Sequence, residues 1–480
     1  MNKLKLFLEN FLIYGIGGII SKIIPLIMVP LVTRLMPNSD YYGISDLSNT
    51  VISFGSALAV MGMYDAMYRM FFEKEDDYFR KRVCSTAMAF TLMTSAIIFL
   101  LMLICKDVIA QYFFGNRKYA YVVYLSAIAT LVGATNSIVS APIRMRNKRK
   151  VFLIINTASP VLSYAISVPM LLAGYYVIAL PLAAVISGAT MELVFWILNK
   201  EWFSFKLFDK RLLKPLLAIA IPLLPNFLIY WIFNSCDKVM ITNMIGVGAA
   251  GVYSVGSKLG HCSQLIYTAF AGGWQYFAFS TMKEDNQVKS NSLIFEYLGI
   301  ISFTATAFIC AWSYFIYRIL FTEEYIRGYI VAPYLFLAPL LQMLFQVACN
   351  QLLVVRKTWP NIPILSLGAV ANIIINFVLI PLIGIEGAAI ATLSGYIISD
   401  IVCVIVLCKM KLMVLNKKFL VSAAIMALYF IIWRNQLSMN PLGGTIMAVI
   451  LSGIFVFLYK KDIKKLMNSY RRTDTEIKKI

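Results

Sequence analysis

The sequence predicts an all-α polytopic membrane protein of about fourteen transmembrane helices. They form two parallel six-helix lobes, related by a pseudo-two-fold along the membrane normal, plus two C-terminal helices. Composition, the recurrence of apolar runs, and an internal repeat lead there. The 480 residues are 60% hydrophobic and 14% charged, with mean hydropathy +0.78. A soluble domain carries about 25% charged and under about 50% apolar residues.

Apolar runs of roughly 17 to 27 residues, long enough for a hydrocarbon core of about 30 Å, follow one another between polar breaks. They lie near residues 10–32, 43–63, 84–104, 120–141, 152–172, 176–197, 213–234, 252–278, 293–316, 329–353, 361–382, 386–408, 418–434 and 443–459. We number them spans 1 to 14. The first reads as a full span, not as a cleaved signal.

Basic loops stay cytoplasmic. With the N-terminus inside, most of the 43 Lys and Arg fall in inner segments, among them the loop holding Arg144, Arg146, Lys148, Arg149 and Lys150 and the one holding Lys409, Lys411, Lys417 and Lys418. Both termini are then inside. The formal charge of +20 is this topological signal plus attraction to anionic membrane lipid, and no nucleic-acid partner is expected. Eight cysteines without a CxxC pair read as small core hydrophobes, so neither metal nor cofactor is indicated. Short outer loops leave little room for a soluble catalytic domain, and an enzyme is not expected.

The repeat is seen when Val32–Asn49 is laid on Ile241–Lys258 without a gap: Thr33 meets Thr242, Ser45 meets Ser254, Ser48 meets Ser257, and Asn49 meets Lys258. The same offset pairs Ser163 with Asn372 and Ser167 with Asn376. An even number of spans per repeat makes both halves enter from the same side, which implies a cavity between lobes. The lobes are residues 1–208 and 209–411, and residues 412–480 add two spans and a basic tail.

Polar residues in a lipid-immersed bundle face protein or water. Span 8 carries Ser254, Ser257, Lys258, His261 and Gln264 on one stripe, and span 2 answers with Ser45, Ser48, Asn49, Ser53 and Ser56. Span 7 adds Asn226, Tyr230, Asn234 and Asp237, and span 1 places Lys22 near the bilayer midplane. Lysine at a helix centre costs roughly 2.5 to 3.5 kcal/mol, so Lys22 and Lys258 require water, a function or an acid such as Asp46, Asp237 or Glu296. Asp46, His261 and Glu296 are the candidates for proton or sodium coupling, His261 because imidazole titrates near neutral pH.

The segments TRLMPNSDYYGISDL, NSCDKVMITNMIGVGAAGVYSVGSKL and PLIGIEGAAIATLSGY, with the Arg-led loop after span 4, resemble the polysaccharide transporters of the multidrug, oligosaccharide-lipid and polysaccharide exporter superfamily. The resemblance covers roughly residues 5 to 410. It implies a flippase that moves undecaprenyl-diphosphate-linked oligosaccharide from the inner to the outer leaflet of the cytoplasmic membrane, for O-antigen, capsule or related surface polysaccharide. It also implies that Lys22, Arg34, Lys238 and Lys258 stand where the family has basic cavity residues, and that a polymerase or other biosynthesis protein is a partner. Spans 13 and 14 depart from the commoner twelve-helix pattern and look more like the peptidoglycan-precursor flippases, which stay open as an alternative. A cation-coupled multidrug antiporter of the same superfamily is the other, though such a protein would want an acidic cavity and this one leans basic.

Overall fold

The structure, a computed structural model, describes residues 23–282, 286–355, 357 and 359–464. Lys22 lies outside the described residues. Every regular element among them is helical. In chain order these are α1 (Ile23–Leu35), α2 (Ser39–Val60), α3 (Met63–Phe71), α4 (Asp77–Ile104), α5 (Lys106–Phe114), α6 (Ala120–Met145), α7 (Arg149–Leu172), α8 (Ala179–Asn199), α9 (Lys210–Ala220), α10 (Leu224–Trp231), α11 (Asp237–Met244), α12 (Val247–Gly260), α13 (Ser263–Ser280), α14 (Gln287–Leu320), α15 (Glu323–Ile326), α16 (Ala332–Val354), α17 (Asn361–Ile383), α18 (Ile385–Lys409), α19 (Lys417–Ile432) and α20 (Pro441–Leu458).

Among the described residues eleven helical stretches are long and apolar enough to cross a membrane, or twelve if α2 and α3, bent by 47°, make one span. Spans 2 to 7 and 9 to 14 have counterparts among them. Span 1 is described only from residue 23, and span 8 is not one helix.

Span 8 breaks at His261 and Cys262, between α12 and α13. There the amides of Cys262, Gln264 and Leu265 bond carbonyls three residues back, the tighter winding that ends an α-helix. The polar stripe expected to run through His261 to Gln264 therefore stops at Lys258. Span 7, expected to end at residue 234, continues in a 35-residue rod, Lys210–Met244, through a π turn at Ile232–Cys236. Asp237 and Lys238 lie inside this rod, whereas the sequence put Lys238 in an outer loop. A π turn takes in one extra residue without ending the helix, so hydropathy alone does not mark it. Cys105 and Cys408, expected in the core, are exposed.

The described residues form two compact units. The first holds those up to Lys258 with Phe321–Gly328 and Ile362–Gly395; the second holds Leu259–Leu320, Tyr329–Asn361 and those from Tyr396 onward.

In the first unit α6 packs against α2, α4 and α8, and α7 against α8. A core of Met63, Met67, Val83, Ile138, Phe195 and Trp202 joins α3, α4, α6 and α8 to α9. The bend after α2 is made by two left-handed residues, Met61 at φ 48° and Gly62 at φ 76°, and a Cβ on Gly62 would stand 2.6 Å from the Ala220 carbonyl oxygen. Only glycine satisfies both conditions. The Ser39 amide donates to Glu324 Oε2 at 2.8 Å, tying α15 to the start of α2.

In the second unit α14 carries α16, α19 and α20. Glu296 Oε1 accepts from the Asn416 amide at 2.7 Å and Ser292 Oγ from the Val414 amide at 3.0 Å, which pins the segment leading into α19. Asn416 then caps α19 through its own side chain. Tyr429 and Trp433 donate to the carbonyls of Ala307 and Cys310, at 2.9 and 2.7 Å. Buried polar groups in hydrocarbon must find such partners.

Candidate functional site

Helices bearing small residues approach until their backbones touch. In the first unit α2 and α12 do this. A Cβ on Gly43 would stand 2.3 Å from the Val247 carbonyl oxygen, and one on Gly251 2.2 Å from that of Ser39. About one turn past this contact the two helices face each other with Asp46 and Ser254, and Ser254 Oγ donates to Asp46 Oδ2 at 2.7 Å. One further turn of α12 brings Lys258 Nζ to 3.2 Å from Asp46 Oδ1.

The third arm comes from α11. Lys238 Nζ donates to Asp46 Oδ2 at 2.6 Å. Two ammonium groups thus share one carboxylate, and the group carries a net positive charge. Asp46 is 4% exposed, the Lys238 side chain 13% and the Lys258 side chain 38%. Lys238 with Ser254 holds one oxygen of Asp46, and the more exposed Lys258 makes the longer contact to the other. Of the two ammonium groups, Lys258 is the more accessible.

Consecutive helical residues point about 100° apart. Asp237, directly before Lys238, accordingly enters a different cluster, whose donors are all neutral. Tyr253 OH donates to Asp237 Oδ2, Thr392 Oγ1 donates to the same oxygen at 3.4 Å, and the Lys238 amide donates to Oδ1 at 2.9 Å. Behind Thr392, Asn372 Nδ2 donates to Thr392 Oγ1 at 3.1 Å and Asn376 Nδ2 to Asn372 Oδ1 at 3.2 Å. All five side chains are buried. Asn376 Oδ1 accepts no hydrogen bond from the described residues. One carboxylate among hydroxyl and amide oxygens suits a proton or a small monovalent cation. Among the described residues no group of three or more His, Cys, Asp or Glu is placed to hold a metal ion.

A cavity of about 470 Å³ opens beside the Asp46 cluster, inside the first unit. Asp46 and Lys258 line one part of it. Ser45 and Asn49 of α2, Asn156, Ser159 and Ser163 of α7 and Ser187 of α8 supply polar groups, and Pro25, Val29 and Val32 of α1 with Leu180 of α8 supply apolar wall.

Of the residues singled out in the sequence, the fold brings Asp46, Asn49, Lys238, Ser254 and Lys258 to this cavity or its flanking cluster, and Asp237 to the neighbouring one. Arg34 is exposed on α1. Asn234 is exposed in the π turn and donates to its own helix at the Tyr230 carbonyl, 2.7 Å away. His261 and Glu296 belong to the second unit, His261 partly buried in the break after α12 and Glu296 holding the Asn416 amide. Tyr253 and Thr392 are additions that the sequence reading does not single out. Their signal there is weak, since a tyrosine and a threonine in an apolar span ordinarily read as packing. Asn372 and Asn376 one turn apart are the stronger clue.

A sequence profile for the family described as Polysaccharide biosynthesis protein matches residues 31–329. No curated protein matches the chain in sequence. Among solved structures, the lipid II flippase MurJ in an inward closed conformation is 14% identical, with a TM-score of 0.73 over 94% of this chain and 100% of that one. A multidrug resistance MATE family transporter of the MOP superfamily in an inward-facing conformation is 13% identical, with a TM-score of 0.60 over 82% and 98%. An outward-facing conformation of a MATE family transporter of that superfamily is 12% identical, with a TM-score of 0.59 over 85% and 95%. At these identities the likeness is one of fold.

Proposed function

We propose that this chain, which belongs to the polysaccharide biosynthesis protein family, is a flippase carrying a polyprenyl-diphosphate-linked oligosaccharide from the inner to the outer leaflet of the cytoplasmic membrane by alternating access, for surface polysaccharide. The observation that carries the reading is the net positive Asp46–Lys238–Lys258 group beside a polar cavity in a membrane-spanning bundle. An oligosaccharide diphosphate cannot cross hydrocarbon unaided, because each unsatisfied polar group costs several kcal/mol there. The polyprenyl tail stays in lipid. With the inside negative, moving about two negative charges outward is favoured by roughly 4 to 5 kcal/mol per 100 mV.

In this reading the chain is a duplication of six spans, residues 1–208 and 209–411, with residues 412–480 appended and both termini cytoplasmic. Lys258 meets the diphosphate, and Lys238 keeps Asp46 compensated while it does. The acid that takes a coupling proton or sodium ion is Asp237, because Asp46 is already held by two ammonium groups. The test is Lys258→Ala and Lys258→Arg in proteoliposomes, scored by translocation of lipid-linked oligosaccharide at matched amounts of folded protein. The alanine variant is expected to lose about tenfold or more in rate, and the arginine variant to keep part of it, since charge is retained and donor geometry changes. Wild-type transport by the alanine variant would place Lys258 in a purely structural ion pair.

A further inference from the structure

Two thiols of the second unit lie side by side. Cys349 of α16 and Cys403 of α18 bring their sulfurs to 3.6 Å, and both are buried, at 8% and 0% exposure. Cys349 Sγ also donates to Asn361 Oδ1 at 3.2 Å, so across the pair it is Cys403 that donates. The Cys349 sulfur is thereby held from two sides. A disulfide needs about 2.05 Å between sulfurs, and a movement of about 0.8 Å by each closes the gap. Asp400 precedes Cys403 by about one turn of α18, near enough for its charge to act on both thiols. Neither of its oxygens accepts a hydrogen bond from the described residues. The pair sits toward the Val354 end of α16 and the Lys409 end of α18, about 8 to 9 Å along each helix. Small neutral solutes reach that depth from water.

We propose that Cys349 and Cys403 are an oxidation site, which takes a small hydroperoxide and closes to a disulfide fastening α16 to α18. Burial excludes bulky reagents from these sulfurs, whereas hydrogen peroxide is little larger than water. Cys349, the more exposed, attacks one peroxide oxygen. The O–O bond breaks, the sulfur becomes a sulfenic acid, and the thiol proton passes by way of Asp400 to the departing hydroxide, giving water. The Cys403 sulfur then attacks that of Cys349 and forms the S–S bond. The sulfenic hydroxyl leaves with the Cys403 proton as a second water. The protein loses two electrons, and the peroxide gains them. A consequence for transport rests on the flippase reading above. Residues of α18 up to Gly395 belong to the first unit and those from Tyr396 to the second, so this helix must absorb any movement between units. Tying it to α16 at Cys403 restrains that movement.

The experiment treats the purified full chain in detergent with hydrogen peroxide, removes the excess with catalase, and counts thiols by maleimide mass tagging after denaturation. Replacing the exposed Cys105 and Cys408 by serine leaves six of the eight cysteines. Peroxide is expected to consume two thiols, to link the peptides holding Cys349 and Cys403, and to be reversed by dithiothreitol. No loss, or a link through any other pair, overturns the site. Adding Cys349→Ser should abolish the link. Asp400→Asn should slow its formation about tenfold or more, and an unchanged rate would overturn the proton relay. In proteoliposomes the oxidised protein is expected to move lipid-linked oligosaccharide about threefold or more slowly than the reduced protein, while Cys349→Ser is indifferent to peroxide. A disulfide that forms without slowing transport overturns the restraint on α18. If the reduced protein moves no lipid yet the link forms, the flippase reading fails and the oxidation site stands.

Discussion

Asp46, reached by Lys238, and Asp237, the residue directly before that lysine on the same helix, are buried acids of one unit, and they are satisfied in opposite ways. Asp46 faces two lysines and a serine, and Asp237 faces a tyrosine, a threonine and a backbone amide. Charge neutralises the first and hydrogen bonding solvates the second. A carboxylate already matched by cations organises the site and holds Lys258 near the cavity. One solvated by neutral donors is, in the reading proposed above, the one that exchanges its charge with a mobile ion.

The largest effect expected from this difference is on stability. Asp46→Asn keeps an acceptor for Ser254 and removes the negative charge, leaving Lys238 buried beside Lys258. It should cost about 3 kcal/mol, toward the lower end of what breaking a buried pair from one side costs, read from thermal unfolding of the purified variant in detergent. A loss under about 1 kcal/mol would mean that Asp46 is not the counter-ion of the two lysines.

A smaller effect should follow from disturbing the crossing that creates the cluster. Gly251→Ala forces α12 off the Ser39 carbonyl and draws Ser254 and Lys258 away from Asp46. We expect about 1 to 3 kcal/mol of destabilisation together with slower transport. Unchanged melting and unchanged transport would show that the helices can part without opening the ion pairs.

Asp237→Asn sharpens the contrast from the other side. No cation depends mainly on Asp237, and the amide oxygen still accepts from Tyr253, so stability should change by no more than about 1 kcal/mol. Transport should lose its response to an imposed proton or sodium gradient, measured in the same vesicles. Destabilisation as large as that of Asp46→Asn would erase the distinction between the two acids.

Much of this is legible in the chain. The apolar runs mark the helices, and the stripes at Ser45 and Asn49 and at Ser254 and Lys258 name residues that do gather at one cavity or its flank. The partnership of Asp46 with Lys238 is not legible, for two physical reasons. The π turn at Ile232–Cys236 extends span 7 past the residue where hydropathy falls, so Lys238 reads as loop. The pairing itself depends on how closely α2 and α12 approach, and that is set by Gly43 and Gly251, whose missing side chains leave no mark in a polarity pattern. Carrying the stripe on to His261 overvalues that residue, because the winding changes between Lys258 and Gln264. Asn372 and Asn376 are visible as repeat partners of Ser163 and Ser167, but their service to Thr392 and Asp237 is a matter of three-dimensional proximity.

The two acids also differ in when they can be satisfied during synthesis. Every group that neutralises Asp46 has been synthesised once Lys258 is made. The last donor to Asp237, Thr392, arrives about 130 residues later, a delay of roughly 7 to 27 s at about 5–20 residues per second. For that interval the Asp46 knot can already close, while Asp237 has only Tyr253 and the Lys238 amide. The polar cavity beside Asp46 can thus be assembled before the neutral-donor cluster around Asp237 is complete, and that cluster is the last of the two to be finished.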